Sequence, residues 1–179
     1  PIEPLRLLDT TGRVIYVGSF SKTLLPTLRL GFIVAPPSLR DAVRKAKFVA
    51  DWHTATTTQA ALAGFIESGG FARHIRKMRE VYRLRHRLIV DALGRDFADH
   101  LEVVPSTVGL HIAAVAHTLS ADQIGVAVRR AFDSGVVVQE LAKFAVNAPG
   151  TPGLVLGYGA IPTACIEDGL RRLRRCFDQ

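Results

Sequence analysis

The sequence has few of the residues that would place it in a membrane or an oxidising compartment. Its 179 residues include two cysteines, one methionine and one tryptophan. No uninterrupted apolar run reaches the ~20 residues that a transmembrane helix needs. Cys165 and Cys176 are predicted to lie on one terminal helix, whose rise would separate them by about 16 Å, too far for a disulfide. We therefore expect a reduced, cytoplasmic protein without a membrane span.

Acidic residues are also scarce, and the resulting positive charge is confined to one segment. The chain carries 23 Lys and Arg against 16 Asp and Glu, a net charge of +7, and residues 73–87 alone contribute +6. Basic proteins often bind nucleic acid. Here, however, an apolar stripe predicts a packed helix whose arginines are solvated or paired with acids. Contact with another domain or subunit and direct contact with DNA are the alternatives.

The apolar pattern predicts an α/β fold in which helices cover a small mixed sheet. Short apolar runs bounded by Gly or Pro predict strands at 14–18, 31–35, 101–104, 110–115, 136–139 and 154–158. Helices are expected over 39–48, from the threonine cluster to 68, over 71–94, over 120–134 and over 161–177. Ser38 and Ser120 are predicted helix caps, and Gly94 a helix end. The first two strands are wholly apolar, so we expect them to be buried.

The segment between these two strands contains the residues best suited to chemistry. Ser19, Ser21 and Lys22 follow the first strand, and Arg29 precedes the second. Hydroxyls and a guanidinium can bind a phosphate, and a partly desolvated lysine can attack a carbonyl. The alternative is that both cations are solvated. Ser19 and Lys22 also satisfy the Ser-x-x-Lys pattern of serine acyl-enzymes, but the Ser-Asp-Asn and Lys-Thr-Gly motifs of those enzymes are absent.

Residues 19–24 and 28–32 resemble the lysine segment of fold-type I pyridoxal-phosphate enzymes, the class I and II aminotransferases. A narrower resemblance is to the aminotransferase-like domain of MocR-type regulators in the GntR family, which follows a winged helix-turn-helix domain. It is carried by the following residues: 73–79 with Tyr82 and Arg85, Gly109-Leu110-His111, and 156–159. The resemblance extends over nearly the whole chain.

This resemblance implies a fold-type I PLP-transferase architecture. Residues 1–45 would be the tail of the large PLP-binding domain, and residues 46–179 the connecting helices and the C-terminal small α/β domain. Lys22 would form the internal aldimine with pyridoxal 5'-phosphate (PLP). The cofactor phosphate would be bound by Ser19, Ser21 and Arg29, and His111 would face the substrate.

The resemblance also implies partners. These are a second copy of the chain in a homodimer, an amino-acid or amine effector or substrate, and DNA through an N-terminal domain that this sequence does not contain. The six histidines show no metal-ligand spacing, so no metal site is expected. No membrane partner is expected either.

Two departures from the family pattern favour a sensor over an enzyme. The acid that pairs with the pyridine nitrogen lies some tens of residues before the lysine in the family, and neither Glu3 nor Asp9 can be assigned to it, so the PLP site in this chain is incomplete. Aminotransferases also bind the substrate carboxylate through an arginine three residues before an aromatic residue, and here that position is Val155, before Tyr158. We therefore expect an effector domain that senses PLP or an amino-acid adduct. A stand-alone class I aminotransferase is the alternative, and a module that only dimerises is a third possibility.

Overall fold

The computed structural model describes residues 3–146 and 150–178. The chain divides between Ile75 and Arg76 into two compact units. This division lies inside a long helix, α4 (Gly70–Asp96), which therefore contributes residues to both units. The expectation that residues 1–45 form the tail of a larger domain stays a prediction.

The first unit consists of a two-stranded hairpin, three helices and the start of α4. Its elements are α1 (Leu5–Leu8), β1 (Tyr16–Ser19), β2 (Gly31–Val34), α2 (Arg40–Asp51) and α3 (Thr56–Glu67). β1 and β2 are antiparallel, with Tyr16 opposite Val34 and Ser19 opposite Gly31. The two strands lie within two residues of their predicted positions.

The expectation that β1 and β2 are buried is wrong for the described residues. Val17 is 68% exposed and Ile33 53% exposed, and every residue of β2 is exposed. The physical reason is that, in the part of the chain that the structure describes, each strand pairs only with the other. Apolar composition therefore identified the strands correctly but did not determine what covers them.

Aromatic side chains connect this hairpin to the helices of the first unit. The ring of Phe32 lies over Gly18, with ring centroids 5.7 Å from Tyr16 and 5.5 Å from Phe20. Phe20 in turn meets the edge of Phe71 on α4 at 5.9 Å. Edge-to-face pairs of this kind add about 0.5–1.5 kcal/mol beyond the area they bury. The end of β1 is thereby packed against the start of α4.

Gly31→Ala is expected to destabilise the first unit by about 1–3 kcal/mol, because the strands approach too closely for a side chain. A Cβ at Gly31 would lie 2.7 Å from the backbone oxygen of Gly18, which cannot rotate away. Gly64→Ala on α3 is the matched control, since a Cβ there meets nothing within 4 Å. The control should stabilise the chain by about 0.5–1 kcal/mol. Chemical denaturation measures both, and equal effects would contradict the close approach.

The second unit contains a four-stranded sheet that is entirely antiparallel. Its strands are β3 (Leu101–Val103), β4 (His111–Ala116), β5 (Gln139–Glu140) and β6 (Gly153–Gly157), in the order β3-β4-β6-β5. The prediction of a mixed sheet is wrong. β4 and β5 do run in the same direction, but β6 lies between them and is antiparallel to both. No two neighbouring strands of this sheet are therefore parallel, because β6 separates the two strands that run in the same direction.

Two shorter helices complete this unit, α5 (Ala121–Asp133) and α6 (Ile166–Arg175). The predicted cap at Ser120 is confirmed, because its hydroxyl accepts a hydrogen bond from the Gln123 N–H and the Gln123 side chain accepts one from the Ser120 N–H. The Ser38 cap is wrong, since α2 begins at Arg40 after a 3-10 turn and has no side-chain cap. Gly94 does not end α4, which continues through it to Asp96.

The core of the second unit lies between its sheet and its helices. Its largest side chains that are at most 1% exposed are Leu93, Phe97, Ile112, Ile124, Leu154, Ile166 and Leu173. They come from α4, α5, α6, β4, β6 and the residue that follows α4, so the second half of α4 is held by packing. In the described parts of the chain, no helix is long and apolar enough to cross a membrane.

Candidate functional site

Lys22 lies in a single helical turn that begins directly after β1. We define residues 20–24 as the lysine turn. The Leu24 N–H donates to the carbonyl oxygen of Phe20 at 2.8 Å and closes the turn, while the Phe20 N–H donates to Leu30 O at 3.0 Å and ties its start to β2. The turn therefore extends the hairpin, and Lys22 lies near its centre with an exposed side chain.

The two serines lie on either side of Phe20. The Ser21 N–H donates to Ser19 Oγ at 3.1 Å. Because Ser19 accepts this bond through its oxygen, its own hydroxyl proton is still available for donation. The aromatic packing of Phe20 holds the intervening backbone, so both hydroxyls are carried by an ordered segment.

Arg29 adopts a left-handed backbone conformation, with φ 51° and ψ 35°, at the end of a 3-10 turn. A residue with a Cβ pays about 1–2 kcal/mol for this conformation. The Arg29 N–H donates to Pro26 O at 3.3 Å, which holds the loop before β2. Backbone strain of this kind is concentrated at binding sites, where the surrounding structure maintains it. It places an exposed guanidinium beside the hairpin end.

Lys22 and Arg29 are two cations without acidic neighbours among the described residues. In the described part of the chain, neither side chain has a carboxylate oxygen within 4.0 Å, unlike Lys47, whose Nζ lies 3.0 Å from Asp51. Unpaired cations together with serine hydroxyls are the groups that bind phosphate. An amine on the same turn can react with an aldehyde. The donor set therefore fits a phosphorylated aldehyde such as PLP.

The acids that precede Lys22 are not arranged to pair with a cofactor. The Asp9 carboxylate accepts hydrogen bonds from the N–H groups of Val14, at 2.9 Å, and Thr11, at 3.0 Å. The bond from Val14, more than that from Thr11, holds the pKa of Asp9 below its ordinary value. Asp9 thus closes its own turn, and Glu3 is exposed. This is consistent with leaving both unassigned.

Helix α4 contributes a residue to this site that the sequence identified only as part of a motif. His74 is half-buried, and its Nε2 lies 3.0 Å from the carbonyl oxygen of Thr23 in the lysine turn. It also borders an apolar groove of about 430 Å³, lined further by Leu24, Leu25, Leu28, Thr58, Ala61, Leu62 and Phe65. The available signal was the three-residue spacing from Phe71, which puts both side chains on one face of α4.

The predicted substrate residue, His111, belongs to the second unit. It is the first residue of β4, lies opposite Gly157 on β6, and is exposed. A Cβ on Gly157 would lie 3.4 Å from the His111 ring, so the imidazole rests over that glycine. Val155 is half-buried on β6 between Ala113 and Gln139. The strand thus presents no cation, and His111 lies opposite its last residue.

Arg85 differs from the expectation for the basic helix. Its Nη1 donates to the carbonyl oxygens of Tyr158, at 3.1 Å, and Gly159, at 2.9 Å, and its Nε donates to Thr163 Oγ1 at 3.2 Å. The Tyr158 hydroxyl donates to Gly109 O at 2.7 Å, and burial raises the pKa of Tyr158. Arg85 is therefore neither solvated nor paired with an acid. It ties α4 to the segments after β6, and Tyr158 ties these to the loop before β4.

The possible metal ligands and the cysteines form no second functional site in the part of the chain that the structure describes. No three side chains among its His, Cys, Asp and Glu residues are placed to hold a metal ion. Cys165 and Cys176 are both free, the first exposed and the second buried. Within the basic stretch, Arg83 pairs with Glu80, as expected for a solvated helix face.

Comparison with known proteins identifies the class to which this fold belongs. Residues 3–152 match the family model described as aminotransferase class I and II. The chain belongs to this family. The α-aminoadipate aminotransferase LysN of Thermus thermophilus, solved with N-(5'-phosphopyridoxyl)-L-leucine, shares 30% identity with it at a TM-score of 0.81; the alignment covers 97% of this chain and 44% of LysN. The fold is that of PLP fold-type I aminotransferases.

The curated relatives that match include transcriptional regulators. The chain is 37% identical over 177 residues to the probable rhizopine catabolism regulatory protein MocR of Rhizobium meliloti, covering 99% of this chain and 36% of MocR. It is 33% identical over 177 residues to YhdI of Bacillus subtilis, an uncharacterized HTH-type transcriptional regulator, covering 99% of this chain and 37% of YhdI. The chain thus spans little more than a third of the length of these regulators.

Proposed function

We propose that this chain is the C-terminal part of a PLP-binding, aminotransferase-like effector domain of a MocR-type regulator in the GntR family. The observation that carries the proposal is the segment from Ser19 to Arg29, in which Lys22 and Arg29 lack acidic neighbours within the described residues and two serine hydroxyls lie beside Lys22 in sequence. The regulators that match along the full chain support it. In the longer protein, residues 1–45 would belong to the large domain and residues 46–179 to the connecting helices and the small domain.

The roles of the site residues follow from their chemistry. PLP would supply an aldehyde that condenses with the Lys22 amine, releasing water, and a phosphate that needs cationic and hydroxyl partners. Arg29 would bind the phosphate through its guanidinium, which suits paired oxygens. Ser19 and Ser21 would donate their hydroxyl protons to it. Lys22 would hold the cofactor covalently until an amino-acid or amine effector takes its place.

The absence of a cation on β6 supports sensing rather than transamination. Val155 occupies the position at which aminotransferases are expected to bind the substrate carboxylate, and the sequence between Lys143 and Arg171 contains no Arg or Lys. A half-buried valine cannot neutralise a carboxylate, so a substrate would lose the charge-assisted contact that orients it. His111, resting over Gly157, would be the substitute contact for an effector.

The second candidate function is a stand-alone class I aminotransferase that acts on amino acids and 2-oxo acids. It is favoured by the likeness to LysN, a solved aminotransferase at 30% identity. In that case Lys22 would move the proton as a general base in addition to binding the cofactor. Either function would use a homodimer, and DNA contact in the regulator would belong to an N-terminal domain.

The two functions are separated by one pair of measurements on the full-length protein. A regulator is expected to bind its own promoter fragment with an affinity that changes at least about fivefold when PLP or an amino acid is added, a coupling of about 1 kcal/mol. It should show no steady turnover of an amino acid with a 2-oxo acid. Sustained turnover without DNA binding would overturn the regulator and support the enzyme.

A further inference from the structure

The start of α4 contacts the lysine turn on both sides of Lys22. Phe71 meets the ring of Phe20 edge-on at 5.9 Å, and His74 reaches the carbonyl oxygen of Thr23 at 3.0 Å. Phe20 and Thr23 flank the residues Ser21 and Lys22 in sequence. Two contacts from one helix face therefore hold the backbone before and after Lys22.

The bond from His74 differs from the other hydrogen bonds of the turn. In the described residues those bonds stay between 19 and 30: Ser21 N–H to Ser19 Oγ, Thr23 Oγ1 to Phe20 O, Leu24 N–H to Phe20 O and Phe20 N–H to Leu30 O. The bond from His74 spans 51 residues. It connects the turn to a helix, whereas the other bonds shape the turn or connect its start to the residue before β2. The orientation of the turn relative to the start of α4 therefore depends on His74 and Phe71.

The chemistry of this contact determines which nitrogen carries the proton. A carbonyl oxygen can only accept, so the Nε2 of His74 must be protonated and donate. His74 is half-buried beside the leucines of an apolar groove, whereas Thr23 is exposed. Water can therefore replace the donor at the Thr23 carbonyl, so removing His74 loses the connection between the turn and α4 without leaving a buried acceptor unpaired.

We propose that His74 is a positioning residue for Lys22: by donating from Nε2 to the Thr23 carbonyl, it orients the lysine turn so that the amine is presented to the cofactor aldehyde. This inference rests on the proposed binding of PLP by Lys22. His74 does not touch the cofactor in this arrangement, and it acts only through the backbone of the turn.

The test compares three proteins in their full-length form: the wild type, His74→Leu and His74→Gln. Leucine keeps bulk and removes the donor, whereas the glutamine amide nitrogen reaches about as far as Nε2 and keeps it. Binding of PLP is followed by the visible absorption of its covalent bond to lysine. We expect His74→Leu to weaken this binding about tenfold, and His74→Gln to stay within about threefold of the wild type.

Binding of pyridoxamine 5'-phosphate separates positioning from a general loss of structure. This analogue carries the phosphate but has no aldehyde, so it cannot bond to Lys22. Its affinity should fall by no more than about threefold in His74→Leu, because Ser19 and Arg29 lie outside the turn and only Ser21 lies within it. Equal weakening of both ligands would show a merely structural role and overturn the proposal, as would a His74→Leu variant that binds PLP within twofold of the wild type.

The Lys22→Ala background completes the test. There, His74→Leu should add no more than the small loss seen with pyridoxamine 5'-phosphate, because the amine that it positions is absent. An additional tenfold loss would contradict the proposal. If the wild type itself forms no covalent bond with PLP, the proposed function fails and this inference fails with it, whereas a wild-type bond that His74→Leu leaves intact overturns only the inference.

Discussion

Lys22→Ala in the full-length protein is expected to abolish covalent attachment of PLP completely. The reason is chemical: condensation with the cofactor aldehyde needs a primary amine, and alanine provides none. The phosphate contacts of Arg29, Ser19 and Ser21 would remain, so weak noncovalent binding should persist. Borohydride reduction converts the C=N bond into a stable secondary amine. Mass spectrometry of the digested protein then shows which lysine carries the cofactor.

The matched control is Lys45→Ala on α2. Lys45 is exposed, and in the described residues its side chain has no carboxylate within 4.0 Å, so it is, like Lys22, an exposed amine without an ion-pair partner, but it lies outside the turn. This variant should retain full attachment. Cofactor attached at a lysine other than Lys22, or unchanged attachment in Lys22→Ala, would refute the assignment of the site.

Phe97→Ala is expected to destabilise the second unit by about 3–5 kcal/mol, through lost burial and the cavity left behind. Phe97 follows α4, is fully buried, and meets Phe177 edge-on at 5.6 Å. The guanidinium of Arg174 lies 6.0 Å from its ring centroid. Removing the ring would therefore disturb a helix end as well as the core. Hydrogen exchange of the β4 and β6 amides, which rest on this core, measures the effect locally.

Phe132→Ala on α5 is the control for this prediction. It deletes the same ring from the same unit, but Phe132 is 68% exposed. Its effect should be within about 0.5 kcal/mol. Similar acceleration of exchange in both variants would show that burial at position 97 is not what stabilises the sheet.

The elements themselves were largely predictable from local pattern. Ser120 caps α5 as expected, because a serine followed three residues later by glutamine satisfies two backbone donors reciprocally. The Ser38 prediction failed because the Pro36-Pro37 pair starts a 3-10 turn there, which displaces the helix start to Arg40. The prediction that Gly94 ends α4 failed for another reason. A long helix that core packing stabilises tolerates an exposed glycine at a cost of about 1 kcal/mol.

Spatial pairing was much less predictable. A mixed sheet was expected, but β6 lies between β4 and β5, the two strands that run in the same direction, and is antiparallel to both. The apolar stripe predicts that the arginines of this helix are solvated or paired with acids, whereas Arg85 donates to two carbonyl oxygens. In both cases the deciding partner is distant in sequence, and helical or strand periodicity carries no information about it.

The scarcity of cysteine and of long apolar runs, and the local character of the charge, were properties of the sequence alone. So was the order of Ser19, Ser21, Lys22 and Arg29, because groups that lie within eleven residues on one turn and loop are brought together by chain connectivity. The tertiary structure alone decided that His74 donates to the Thr23 carbonyl across 51 residues. This bond forms only if the position of α4, and its rotation about its own axis, bring the His74 donor to about 3 Å from the Thr23 carbonyl. Packing sets both the position and the rotation of the helix.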